Sequence, residues 1–100
     1  MDKIEQISSS YIQHGKESNR VYLTKYNEKK PEKLIGLLND LCLKNDYGKI
    51  IAKIQEHIQP YFIQHGYVQE AFIPGFFKGE ESVFFVAKYF DNTRSEINEE

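Results

Sequence analysis

Between Pro31 and Lys44 the leucines Leu34, Leu37, Leu38 and Leu41 recur at i, i+3, i+4 and i+7, and Ile35 and Cys42 widen the stripe. That spacing predicts an amphipathic helix with one apolar face. Pro31 suits the first helical position, where a missing N–H costs nothing, and Asn45 suits a left-handed stop. Beyond Tyr47-Gly48 comes Lys49-Ile50-Ile51-Ala52-Lys53-Ile54, a short apolar run. With a helix before it, such a run reads as a buried parallel strand. A β-rich segment ahead of the helix, residues 20–25, then pairs parallel to 49–54 through a right-handed crossover. This strand–helix–strand unit limits the fold more than any other feature of the chain.

The remaining segments fit around it. Ser10-Tyr11-Ile12-Gln13-His14 and Arg20-Val21-Tyr22-Leu23-Thr24 flank the turn-forming Gly15-Lys16-Glu17-Ser18-Asn19, a β-hairpin over 9–26. Residues 2–7 are a candidate further strand. A short helix follows 49–54, with Ile58, Tyr61 and Phe62 inward, Pro60 delaying its ordered turns and Gly66 capping it after His65. Strands are expected at 67–73 and 82–90. The second, Ser82-Val83-Phe84-Phe85-Val86-Ala87-Lys88-Tyr89-Phe90, is apolar on both faces and so belongs inside the sheet. Pro74–Glu81 reads as a long loop. From Asp91 onward the chain is polar, a tail or the start of a linker. The tetrapeptide Ile-Gln-His-Gly occurs at 12–15 and at 63–66; a true repeat has a longer period, and the two copies fall in different elements, so it is a coincidence.

Composition narrows the class. With 100 residues, 40% of them hydrophobic and 28% charged, the chain has room for one globular core and no second. Seven Phe and seven Tyr enlarge that small core. The 13 basic residues are scattered and the net charge is −2, which argues against a nucleic-acid surface. No apolar run reaches the ~20 residues of a membrane span, and the amino terminus lacks a signal-peptide core. One cysteine allows no internal disulfide, so the cytoplasm is the expected compartment. Walker-type loops, dinucleotide fingerprints and zinc-ligand spacings are absent from the sequence, so metal binding is not expected.

The order strand, strand, helix, strand, helix, strand, strand matches the later half of the GNAT N-acetyltransferase fold. Lys49–Ile54 followed by Pro60-Tyr61-Phe62-Ile63-Gln64-His65-Gly66-Tyr67 resembles the strand and helix of that fold. A closer match covers nearly the whole chain: Ile12–Gly15, Asn19–Leu23, Tyr47–Lys53 and Gly66–Gly79, most specifically Glu70–Gly79, resemble the front portion of β-lysine N-acetyltransferases. The resemblance implies transfer of acetyl from acetyl-CoA to the side-chain amine of β-lysine, giving a compatible solute. It also implies that 82–90 lies between 49–54 and 67–73; direct pairing of 67–73 with 49–54 would defeat it.

One stretch departs from a working enzyme of that kind. GNAT enzymes carry Gln/Arg-x-x-Gly-x-Gly/Ala ahead of the first helix, where backbone N–H groups hold the CoA diphosphate. Here Tyr26-Asn27-Glu28-Lys29-Lys30-Pro31-Glu32 has no glycine, loses a donor at Pro31 and adds negative charge at Glu28 and Glu32. Lys29 and Lys30 attract anions but build no cradle. The expectation is therefore a front domain, residues 1–90, that binds no acetyl-CoA by itself and is inactive alone. Family members continue into a complete second GNAT domain, which is the expected partner. The alternative is a stand-alone module that dimerises through the 74–79 loop and an open sheet edge.

Candidate residues follow from type and place. Glu70, mid-strand among apolar neighbours, could act as a base or bind an amine; otherwise it is an outward residue paired with a lysine. Arg20, opening a strand beside a tight turn, could hold a substrate carboxylate, or else makes a surface ion pair. Phe76 and Phe77 are candidate interface residues on the 74–79 loop. Cys42 lies on the helix stripe and reads as a buried, inert thiol. His14 and His65 precede glycines and read as capping or surface residues. No catalytic, cofactor-binding or metal-ligating residue is assigned. The fold expected is α/β, a mixed, mostly antiparallel sheet of four to five strands with two helices.

Overall fold

The computed structural model describes residues 2–77 and 81–90. One sheet runs β1 (Lys3–Ile7), β2 (Ser10–Gly15), β3 (Arg20–Lys25), β4 (Lys49–Gln55), β6 (Glu81–Tyr89), β5 (Val68–Phe77) from edge to edge. Helix α1 (Pro31–Lys44) connects β3 to β4, and a single 3₁₀ turn (Glu56–Ile58) leads into α2 (Gln59–Gln64). The pairing of β3 with β4 is parallel and every other pairing is antiparallel. The sheet is thus mixed and mostly antiparallel, as expected. Strand β6 separates β4 from β5, which is the arrangement the resemblance required. Six strands replace the expected four to five, because residues 3–7 form a full edge strand.

Alternation along the strands explains why the helices pack where they do. Val21, Leu23, Ile50, Ala52, Ile54 and Val86 are fully buried and point to one face, where Leu34, Ile35, Leu38 and Cys42 of α1 and Phe62 of α2 cover them. The opposite face carries Arg20, Tyr22, Lys49, Ile51, Lys53, Phe85 and Tyr89, half-buried or exposed, and no described helix lies over it.

Both helices end in the same way. Asp46 (φ 56°) and Gly66 (φ 93°) are left-handed; Tyr47 N–H bonds Cys42 O at 3.0 Å and Tyr67 N–H bonds Phe62 O at 3.2 Å. These are Schellman closures, each sealed by a tyrosine folded back on the helix. The Phe62 and Tyr67 rings meet edge-on at 4.9 Å. Asn45 is not the left-handed residue the sequence suggested: its φ is −100°, and the following Asp46 takes the turn because Tyr47 must reach back to Cys42.

Two other expectations need correction. The loop expected at Pro74–Glu81 is largely strand, since β5 continues through Phe77 and Phe77 pairs with Glu81; the irregular register between Ile73 and Phe77 absorbs Pro74 and Gly75. The side chains of Phe76 and Phe77, the interface candidates, lie outside the described residues. Pro60 is the second residue of α2, where its missing N–H costs nothing, and the 3₁₀ turn carries the chain up to it. No described helix is long and apolar enough to cross a membrane.

Candidate functional site

The parallel pair β3–β4 is closed at one end and open at the other. Its register runs from Arg20↔Lys49 to Leu23↔Ala52 and stops there, although both strands continue, to Lys25 and Gln55. A bulge between Tyr11 and Ile12, where β2 meets β3, accompanies the divergence. The gap is a cleft of about 290 Å³ lined by Thr24, Lys25, Tyr26, Lys53 and Gln55. Strand ends that no longer pair present backbone donors and acceptors to whatever enters, and an extended, amide-bearing chain can add between them as a strand does. Tyr26 is buried against Phe62, ring to ring at 6.4 Å, and its Oη has no partner among the described residues. Burial, with the nearby Glu28 and Glu32 charges, pushes its phenol up to about 12, so it stays neutral, with its hydroxyl shut off from solvent.

The approach to α1 is where the resemblance to GNAT enzymes would place a CoA diphosphate. Lys30 caps the helix in an extended conformation with no side-chain bond to it, Pro31 occupies the first turn, and Glu32 adds negative charge there. Glu28 lies across the same groove, a space of about 660 Å³ that Ser8, Ser9, Asn27, Lys29, Lys30 and Lys33 also line. Its carboxylate accepts bonds from Ser8 Oγ (2.9 Å), Ser9 N–H (2.8 Å) and Ser10 Oγ (2.7 Å). Burial is the largest single influence on Glu28 and opposes its charge, but the bonds from Ser10, Ser9 and Ser8 together hold the carboxyl below its usual range. The open strand ends suit an extended, amide-bearing chain; the loop at 27–32, with Pro31 and two carboxylates, does not suit a diphosphate.

Glu70 and Arg20 fall on the helix-free face. Glu70 sits at a bulge in β5, where the register slips between Gln69 and Ala71. Tyr89 Oη donates to its Oε2, and Lys49 Nζ stands 3.9 Å from its Oε1. Lys49 also lies 4.9 Å from the Tyr89 ring centre. Arg20 is exposed and is the register partner of Lys49. The two residues therefore share one polar patch, with Lys49 and Tyr89 between them. Neither bridging residue was singled out in the sequence. Lys49 was in view only as the first residue of an apolar run, and its place beside Arg20 depends on register.

His14 is neither a cap nor a surface residue. It is 6% exposed, with Nε2 2.6 Å from Glu5 Oε1 and Nδ1 2.8 Å from Tyr47 Oη. An ionised Glu5 can only accept, so Nε2 carries a proton toward it, while Nδ1 pairs with the Tyr47 hydroxyl. The bond from His14 is the main reason the Glu5 carboxyl is lowered. Its position inside β2, on the helix-covered face, buries it. His65 does sit at a helix end, with Nδ1 2.9 Å from Tyr61 O. Cys42 is buried as expected, and burial pushes its thiol up to about 11, which leaves it protonated and inert.

No protein-family model and no curated protein match this chain. Solved structures do match its fold. An acetyltransferase-type protein from Agrobacterium tumefaciens superposes with a TM-score of 0.66 at 10% identity, covering 90% of this chain and 75% of that one. An acetyltransferase from Bacillus cereus gives 0.61 at 10% identity, covering 90% and 72%. A streptothricin-acetyltransferase-type protein from Bacillus anthracis, solved with acetyl coenzyme A, gives 0.59 at 14% identity, covering 81% of this chain and 55% of that one. At such identities the likeness concerns the fold: the chain has the α/β fold of GNAT-type acetyltransferases and spans between about half and three quarters of these neighbours.

Proposed function

We propose that this chain is the amino-terminal, non-CoA-binding domain of an N-acetyltransferase that moves acetyl from acetyl-CoA to the side-chain amine of β-lysine. The reading rests on one contrast in the site. The diverging strand ends keep a cleft suited to an acyl-bearing arm, while Glu28, Pro31 and Glu32 occupy the place where a diphosphate would be held. Acetyl-CoA is then held elsewhere, by a second domain of the same fold. Within this domain the open-face patch is the acceptor surface. Glu70 meets an ammonium group, and Arg20 with Lys49 meets a carboxylate. The segment resemblance over Gly66–Gly79 supports β-lysine as the acceptor.

Calorimetric titration of the chain with acetyl-CoA, and separately with β-lysine, tests this reading. No saturable acetyl-CoA binding together with a weak β-lysine signal is expected. Tight acetyl-CoA binding would defeat it and make this chain a minimal acetyltransferase. A second reading, a stand-alone module that pairs with another copy, draws on the edge strand β5, which exposes Val68, Phe72 and Ile73. Sedimentation that shows a monomer at high concentration would remove it.

A further inference from the structure

The turn between β1 and β2 and the first residue of β2 form a run of three serines, and all three aim donors at one place. Ser8 Oγ serves one oxygen of Glu28, while Ser9 N–H and Ser10 Oγ share the other. Ser10 is fully buried, and its oxygen accepts Asn27 N–H at 2.9 Å, so its hydroxyl proton is directed onto Glu28. Glu28 arrives from the opposite wall of the groove, on the loop leading into α1. Lys29, Lys30 and Lys33 line the same groove. Three converging donors set among three ammonium groups make a receptor for an oxyanion, whether carboxylate or phosphate.

We infer that this groove is an anion-binding nest filled from within by Glu28, and that Glu28 is the residue that keeps a diphosphate off this domain. The inference rests on the reading that the chain holds no acetyl-CoA, and adds the cause. Missing glycines alone would leave a poor site with basic walls. A seated carboxylate removes the donors as well and cancels part of the lysine charge. A plain tie between a turn and a loop would also weaken when Glu28 is removed, but it would gain no affinity for anything.

The test is calorimetric titration of inorganic pyrophosphate into the whole chain and into Glu28→Ala, with circular dichroism to verify folding. Glu28→Ala should bind pyrophosphate about tenfold tighter than the unaltered chain or better, and the gain should shrink as salt is added. Equal affinity in the two proteins, weak or strong, overturns the inference. Should Glu28→Ala not fold, Glu28→Gln keeps the shape and removes the charge; affinity above the unaltered chain then supports the inference, and unchanged affinity overturns it. Acetyl-CoA binding by the unaltered chain would instead strike the proposed function, and the pyrophosphate comparison would still decide the role of Glu28.

Discussion

Ile50 and Ile51 are neighbours in β4 and live in different environments. Ile50 is fully buried beneath the helices, and Ile51 is half-buried on the face that no described helix covers. The same contrast separates Val21 from Tyr22 and Val86 from Phe85. One face of the sheet holds the fold together. The other carries the polar patch of Arg20, Lys49, Tyr89 and Glu70, with Tyr22, Ile51 and Phe85 only partly shielded beside it. Stability and recognition are thus divided by the pleat of the same strands, and substitutions that alternate along one strand can measure the division.

The largest effects belong to the covered face. Phe62→Ala removes a ring packed against both Tyr26 and Tyr67 and should cost ~3–5 kcal/mol, a large share of a total stability of only ~5–15 kcal/mol. Ile50→Ala should cost ~2–5 kcal/mol and Ile51→Ala less than about half of that, read as shifts in the urea midpoint. Equal costs at the two positions would mean that the open face is covered in solution, by another copy or another segment, and the comparison would fail.

His14 tests the same division within a polar cluster. His14→Ala leaves the Tyr47 hydroxyl without its partner inside the covered layer and frees Glu5 from its donor, so a loss of ~1–3 kcal/mol in chemical denaturation is expected. A change below about 0.5 kcal/mol would place His14 with surface residues, as its position before a glycine first suggested.

What could be read from the sequence was what depends on local period. The stripe in α1, the apolar run of β4 and the two-faced run of β6 announce their burial in residue order, and the topology follows from the crossover rule together with the central place of β6. What could not be read depends on register and on contacts across long separations. The bulge at Glu70, the Lys49–Tyr89 contact and the three-donor seat of Glu28 join residues that are 18 to 40 positions apart or set by strand alignment. Glu28 was legible as a misplaced negative charge; that Ser8, Ser9 and Ser10 would hold it was not. His14 was misjudged because a histidine before the glycine that ends a strand reads as a surface residue, whereas here its side chain turns into the covered layer, onto Glu5 and Tyr47.

Acid should separate the Glu28 tie from the rest of the fold. The folded carboxyl lies below its ordinary value of 4.5, so its contribution is fully present above that pH and is lost as pH falls through the lower, folded value. Melting curves of the chain and of Glu28→Gln should differ by a constant amount from neutral pH to about pH 5, then converge on further acidification. Curves that stay parallel into acid would show that the Ser8–Ser10 contacts do not depend on the charge.

The smallest stability effect, and the sharpest use of the comparison, is expected at Tyr89. Tyr89→Phe removes the donor to Glu70 and keeps the ring under Lys49. Both partners are exposed, and water replaces the lost bond, so the urea midpoint should correspond to a change within ~0.5 kcal/mol. Binding should respond differently. A Glu70 carboxylate freed from Tyr89 samples more rotamers and meets an ammonium group less well, so any β-lysine heat seen with the unaltered chain should weaken in Tyr89→Phe and vanish in Glu70→Gln. A loss of stability above ~1 kcal/mol, with binding unchanged, would make the Tyr89–Glu70 contact a structural clasp between β6 and β5, and the open face would then share the work of holding the sheet together.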